Sequence, residues 1–247
     1  MVVTSFAHAQ EKKDVTKKPD KPPVVKTLSP VAMPTAGKQT FTIQGLRLKD
    51  VNEVTCGVEG ATVKLLGTQT IKPGKDEESP EFDSSVRFEV ALTPDVAPGE
   101  LTVELKLPPA TFPCPFAIRV IDKSFLLEQR EPADGFKTAQ PLKPGDIVRG
   151  SVQAPRDVDV FRFELKKDEA VSFEVIAGRS GSALDAILTL YDDRGRTVLS
   201  DDDHAGSRNP VIRFTPPADG VYFLALIDAL DNGGDAYTYL LKTRLEK

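Results

Sequence analysis

Short runs in which every second residue is apolar fill this chain from residue 24 onward. Phe41 and Ile43 alternate with Thr40 and Thr42. Val54, Cys56 and Val58 form the next set, followed by Val63 with Leu65, then Val86, Phe88 and Val90. Leu101, Val103, Leu105 and Leu107 continue the series, and Phe116, Ile118 and Val120 close it. A period of two sends alternate side chains to opposite faces of a strand, so each run predicts a half-buried β-strand. With Val24 to Leu28 in front, these runs predict a seven-stranded immunoglobulin-like sandwich over residues 24–122.

A second series begins after Lys123. Phe161, Phe163 and Leu165 alternate, as do Val171, Phe173 and Val175, and later Leu224 with Leu226 and Tyr237 with Tyr239 and Leu241. Its most complete pattern is Leu184 to Asp203, a strand, a turn and a second strand. Asp192 to Gly195 carries the turn chemistry, since Asp bonds its own backbone and Gly accepts a positive φ. The expectation is a second sandwich over 123–247, organised around this hairpin. Most of the aromatic residues, Phe161, Phe163, Phe173, Phe214, Tyr222 and Phe223 among them, are expected at inward positions as core. The fold class is therefore all-β: two tandem β-sandwiches, the first immunoglobulin-like and the second jelly-roll-like.

The amino end has a different texture. Residues 1–9 are apolar, free of acid and end in Ala7-His8-Ala9, a small-x-small pattern read as the remnant of a signal peptide. Residues 10–23 are rich in Lys and Pro with almost nothing to bury, which predicts a disordered linker. Lys72 to Ser84 is polar and acidic and reads as a long exposed loop. The implied location is exported: periplasmic, cell-surface or extracellular.

Charge and composition narrow the chemistry. The formal net charge is −5. Five lysines against Glu11, Asp14 and Asp20 make the first 23 residues basic, so the remainder is more acidic still. That argues against a general nucleic-acid partner, which requires a basic face. No apolar run approaches the ~20 residues of a membrane-spanning helix. Only His8 and His204 are present and there is no Trp, so a multi-His zinc site and a Trp sugar platform are both excluded. His204 lies near Ser200 and Ser207, but no Gly-x-Ser-x-Gly frame accompanies them. No catalytic residue is assigned, and the chain is not expected to be an enzyme.

Two sets of residues remain as candidates. Asp157, Asp159, Asp185, Asp201, Asp202 and Asp203 fall at strand ends or turns, where carboxylates can converge on calcium, the one cofactor suggested. The alternative is that they end strands, form Asx turns and keep edges soluble. Cys56 and Cys114 are the only cysteines. In an exported sandwich they suggest a disulfide; two free thiols are the alternative.

Two resemblances add to this reading. Leu28-Ser29-Pro30, Gly37 to Gly45 and Pro94 to Gly99 resemble the IPT/TIG immunoglobulin-like family, with Gly37 alone where a pair of glycines is usual. That family implies a spacer or binding domain. Glu128 to Pro132, Asp157 to Phe163, Ser182 to Asp185, the Asp pair within 201–203 and Pro217 to Tyr222 together resemble the bacterial pre-peptidase C-terminal domain, with Ala133 where Asn is common. This resemblance implies a non-catalytic accessory module of exported bacterial proteins, some relatives of which bind calcium or extracellular polymers. The expected function is a non-catalytic exported or envelope-associated protein that engages another protein or an extracellular polymer, the alternative being an accessory or pro-domain partner of a secreted peptidase. Oligomeric state is not legible in the sequence.

Overall fold

The computed structural model describes residues 21–72, 82–107 and 114–246. The expected signal-peptide remnant, all but the last three residues of the linker, and most of the loop from Lys72 to Ser84 lie outside the described residues.

The first sandwich is built from β1 (Val24–Ser29), β2 (Ala32–Pro34), β3 (Gly37–Leu46), β4 (Glu53–Cys56), β5 (Ala61–Thr70), β6 (Ser84–Leu92), β7 (Gly99–Lys106) and β8 (Cys114–Ile121). One sheet runs β1-β3-β6-β5 and the other β2-β8-β7-β4. Every alternating run of residues 24–122 named above becomes a strand, but two run past their strand ends. β4 stops at Cys56, leaving Val58 41% exposed, and β7 stops at Lys106, one residue before Leu107. The extra strand, β2, is too short to show a period. Between the sheets Phe41 faces Phe88 across the β3–β6 register, and their rings stack at 5.5 Å. Burying each such side chain contributes about 1.5–3 kcal/mol.

The second sandwich comprises β9 (Leu126–Glu128), β10 (Gln140–Leu142), β11 (Ile147–Ser151), β12 (Asp159–Leu165), β13 (Val171–Ile176), β14 (Ala186–Tyr191), β15 (Thr197–Asp201), β16 (Val211–Phe214), β17 (Gly220–Asp228) and β18 (Thr238–Leu245). Its sheets run β10-β12-β17-β14-β15 and β16-β13-β18-β11-β9. The hairpin from Leu184 to Asp203 forms as expected, with Gly195 at φ 74° and the Asp192 carboxylate accepting the amides of Arg194 and Arg196. It does not organise the sandwich, however. β15 is an edge strand, and the centre is β17, which pairs with both β12 and β14. Phe161, Phe163 and Phe173 are fully buried in the core. Phe223 corrects the inward reading: it follows Tyr222 on β17 and so faces outward, where the exposed Phe136 stacks on it at 4.5 Å.

The two sandwiches pack on each other. Ile176 and Leu240 lie on the outer face of the second sandwich yet are fully buried, because Val31 and Ala32 cover them. The Arg149 guanidinium reaches across to the Ala32 carbonyl at 2.9 Å and Gln39 Oε1 at 2.7 Å. The Leu28 amide donates to the Gly181 carbonyl at 2.6 Å.

Candidate functional site

The strand β12 carries its inward parity back to its first residue. Asp159 therefore points the same way as Phe161 and Phe163, into the end of the core, and has no exposed surface. Asp157, two residues earlier, shares that parity. The turn after β9 brings Glu131 onto the same spot, so that one carboxylate oxygen from each of Glu131, Asp157 and Asp159 lies within 4.8 Å of the others.

Hydrogen bonds hold this group in place. The Tyr239 hydroxyl donates to Asp159 Oδ2 at 2.6 Å, and the Gln129 amide nitrogen donates to Asp159 Oδ1 and Glu131 Oε1, each at 2.6 Å. Glu131 Oε2 accepts the Ala133 amide and Asp157 Oδ2 accepts the Gln153 amide. Gly150 makes the Tyr239 contact sterically possible. A Cβ there would sit 2.4 Å from the Tyr239 hydroxyl oxygen, so any larger residue pushes the ring away.

Electrostatics set this site apart. Burial pushes the Asp159 carboxyl up to about 8; the Tyr239 hydrogen bond opposes the rise, and the neighbouring Asp157 and Glu131 charges add to it. Tyr239 is likewise driven well above its usual value by burial and by Asp159. Three carboxylates converge here and none of them forms an ion pair among the described residues. Neutralisation by a proton or by a cation is the physical resolution of such a group.

The other expected calcium residues are elsewhere. Asp185 lies 4.0 Å from the Arg208 Nε, and its amide is capped by Asp228. Asp201 accepts the Val211 amide at 2.7 Å and sits 3.8 Å from His204 Nδ1, while Asp202 and Asp203 are exposed. Among the described residues only Glu131, Asp157 and Asp159 form such a group. Glu131 was not singled out from the sequence, although it stands in the Glu128 to Pro132 segment.

The serines beside His204 are engaged with other groups. The Ser200 hydroxyl bonds the Leu188 carbonyl and pairs with Thr189, and Ser207 Oγ accepts from the Asn209 amide. Cys56 is a free thiol. It pairs in register with Val103 on β7, while Cys114 pairs with Leu105 on the other side of that strand. Strands two apart lie about 10 Å from each other, and a disulfide needs Cα atoms within about 7 Å.

The comparisons with known proteins follow the same division. Residues 23–117 match the IPT/TIG domain, and residues 157–227 match the bacterial pre-peptidase C-terminal domain. A probable subtilase-type serine protease of Deinococcus radiodurans is 36% identical over 113 residues, 43% of this chain; the chain spans 15% of that protein's length. Among solved structures, the pre-peptidase C-terminal domain of a collagenase from Bacillus anthracis is 17% identical with a TM-score of 0.36, covering 43% of this chain and 94% of its own. SGBP-B of the mixed-linkage glucan utilization locus of Bacteroides ovatus, in complex with a mixed-linkage heptasaccharide, is 14% identical with a TM-score of 0.27 over 87% of this chain and 42% of its own. No helix among the described residues is long and apolar enough to cross a membrane. The chain carries an IPT/TIG domain followed by a bacterial pre-peptidase C-terminal domain.

Proposed function

We propose that this chain is a non-catalytic binding or accessory module of an exported bacterial protein, engaging another protein or an extracellular polymer, and that its second sandwich binds calcium through Glu131, Asp157 and Asp159. The observation that carries the calcium reading is the convergence of three carboxylates, one fully buried, none of them ion-paired with a basic side chain among the described residues. Calcium accepts oxygen ligands in flexible geometry, and carboxylates with a nearby amide oxygen suit it. A half-turn of the Gln129 amide would present its carbonyl oxygen to the same space. With calcium bound, the mutual repulsion of the carboxylates is neutralised and the 129–134 turn is tied to the start of β12.

The binding reading is supported by the two domain matches and by the engaged state of the serines near His204. Capture from native envelope extract, with and without calcium, tests it: retention of a defined protein or polymer is expected, and an empty eluate in both conditions overturns it. Calcium is tested separately by thermal melting. A rise in Tm on adding millimolar calcium, reversed by chelator and lost in Glu131→Gln, is expected; an unchanged Tm overturns the calcium assignment. The second reading, an accessory or pro-domain partner of a secreted peptidase, is favoured by the 36% identity to a segment of a subtilase-type protease. Copurification with a protease from the native host would support it over the first. Silence of the chain against peptide and glycoside substrates, with His204→Ala as control, is expected under both.

A further inference from the structure

The first sandwich covers only part of the outer face of the β16-β13-β18-β11-β9 sheet. Ile176 and Leu240 lie beneath it, and the two rows of residues beyond them stay open. In the outer row Ser172 on β13 pairs with Arg213 on one side and Arg244 on the other. In the inner row Glu174 pairs with Lys242. Arg213 and Arg244 stand two strands apart, a spacing of about 10 Å, and Lys242 lies about 7 Å from Arg244 along β18. Arg179, after β13, borders the same cleft of about 340 Å³, whose far wall is the segment of His204, Ser207 and Asn209. Arg119 comes from the first sandwich, where its Nε donates to Ser180 Oγ at 3.0 Å. The Arg119 charge also acts on Lys242 from outside the cleft.

The acidic groups of this face do not balance it. Glu174 is paired with Arg179, and Arg119 has Glu100 at 3.2 Å. Glu246 borders the cleft. Among the described residues Arg213, Lys242 and Arg244 form no ion pair. Burial lowers the Lys242 ammonium; Glu174 opposes this, and the neighbouring Arg119, Arg244 and Arg179 charges push the same way as burial. This concentration of positive charge lies on a chain whose net charge is −5. Arg213, Lys242 and Arg244 rise from separate positions on two strands, so the face presents several cationic groups in a row rather than one. No aromatic side chain borders the cleft, so the base stacking that single-stranded nucleic acids use has no platform here.

We propose that this face binds an acidic polysaccharide, a linear chain whose repeated carboxylate, phosphate or sulfate groups meet Arg213, Lys242 and Arg244 in turn. The proposal deepens the reading of the chain as a binder of an extracellular polymer and rests on it.

The test uses the full chain and three soluble polymers of similar length: polygalacturonate, dextran sulfate and neutral dextran. Binding to at least one acidic polymer and not to dextran is expected, with affinity falling as salt rises. The double variant R213E/R244E should lose tenfold or more. A charge-matched variant on remote surfaces, K64E/R194E, should lose less than threefold. Should charge reversal disturb folding, R213Q/R244Q takes its place, with a loss of about fivefold expected. Preference between polygalacturonate and dextran sulfate distinguishes carboxylate from sulfate as the group recognised. Equal losses in the two double variants, equal binding to dextran, or no binding to either acidic polymer at low salt would overturn the proposal. If R213E/R244E still captures the partner retained from native extract at full strength, the binding reading stands and this surface is not its site.

Discussion

The second sandwich contains two acidic groups of three, and they behave oppositely. Asp201, Asp202 and Asp203 are consecutive in sequence, but they diverge in space: one caps the Val211 amide and the other two face water. Glu131, Asp157 and Asp159 come from two separate segments and converge within 4.8 Å. Sequence adjacency in an extended chain separates side chains, whereas a turn folded over a strand end gathers them. Only the gathered group includes a fully buried carboxyl, Asp159, and only there does a carboxyl depart strongly from its usual range.

The strongest way to probe this contrast is pH. The unfolded chain releases the Asp159 proton near the ordinary carboxylate value, about 3.9, and the folded chain holds it up to about 8. Across that window the native state binds the extra proton. Stability in chelator should therefore fall as pH rises, by up to about 1.4 kcal/mol per pH unit, and level off above the upper value. Urea denaturation at several pH values reads this slope, and Asp159→Asn should flatten it. A slope unchanged in that variant would assign it to other groups.

Next in size is Asp159→Ala. It strands the buried Tyr239 hydroxyl and the Gln129 amide, and should cost about 3 kcal/mol in chemical denaturation at pH 5. Calcium sharpens the comparison further: at a hundredfold excess over its Kd it should add about 2.7 kcal/mol at pH 8. The gain should be smaller at pH 5, where the proton competes for Asp159. The smallest effect belongs to the other acidic group, since Asp202→Ala should change stability by no more than about 0.5 kcal/mol, with or without calcium.

The strands were legible because one face of each differs from the other. What the period could not show was position in the sheet. The hairpin from Leu184 to Asp203 reads as central from its regularity, yet Thr197, Ser200 and Asp201 make its second strand an edge. The central strand β17 announces itself differently, by the nearly unbroken apolar run from Val221 to Ile227. Asp157 and Asp159 were named because they precede an alternating run. Glu131 escaped because it lies in a turn, where no period applies, and its approach to Asp159 depends on how that turn folds. The cationic face was equally hidden, since Arg213, Lys242 and Arg244 come to one face only through strand order.

Between the end of β8 at Ile121 and the start of β9 at Leu126 there are four residues. Beyond them the chain is at once zipped in parallel onto β11. If the molecule is held at one end and pulled at the other, as a polymer-bound protein in flowing liquid would be, separating the sandwiches releases no more than about 14 Å of extension before β9 itself bears the load. Yielding under tension would strip cover from Ile176 and Leu240 and break the Arg149 crossing bonds. The pair should therefore transmit force as one stiff link rather than as two beads on a slack string.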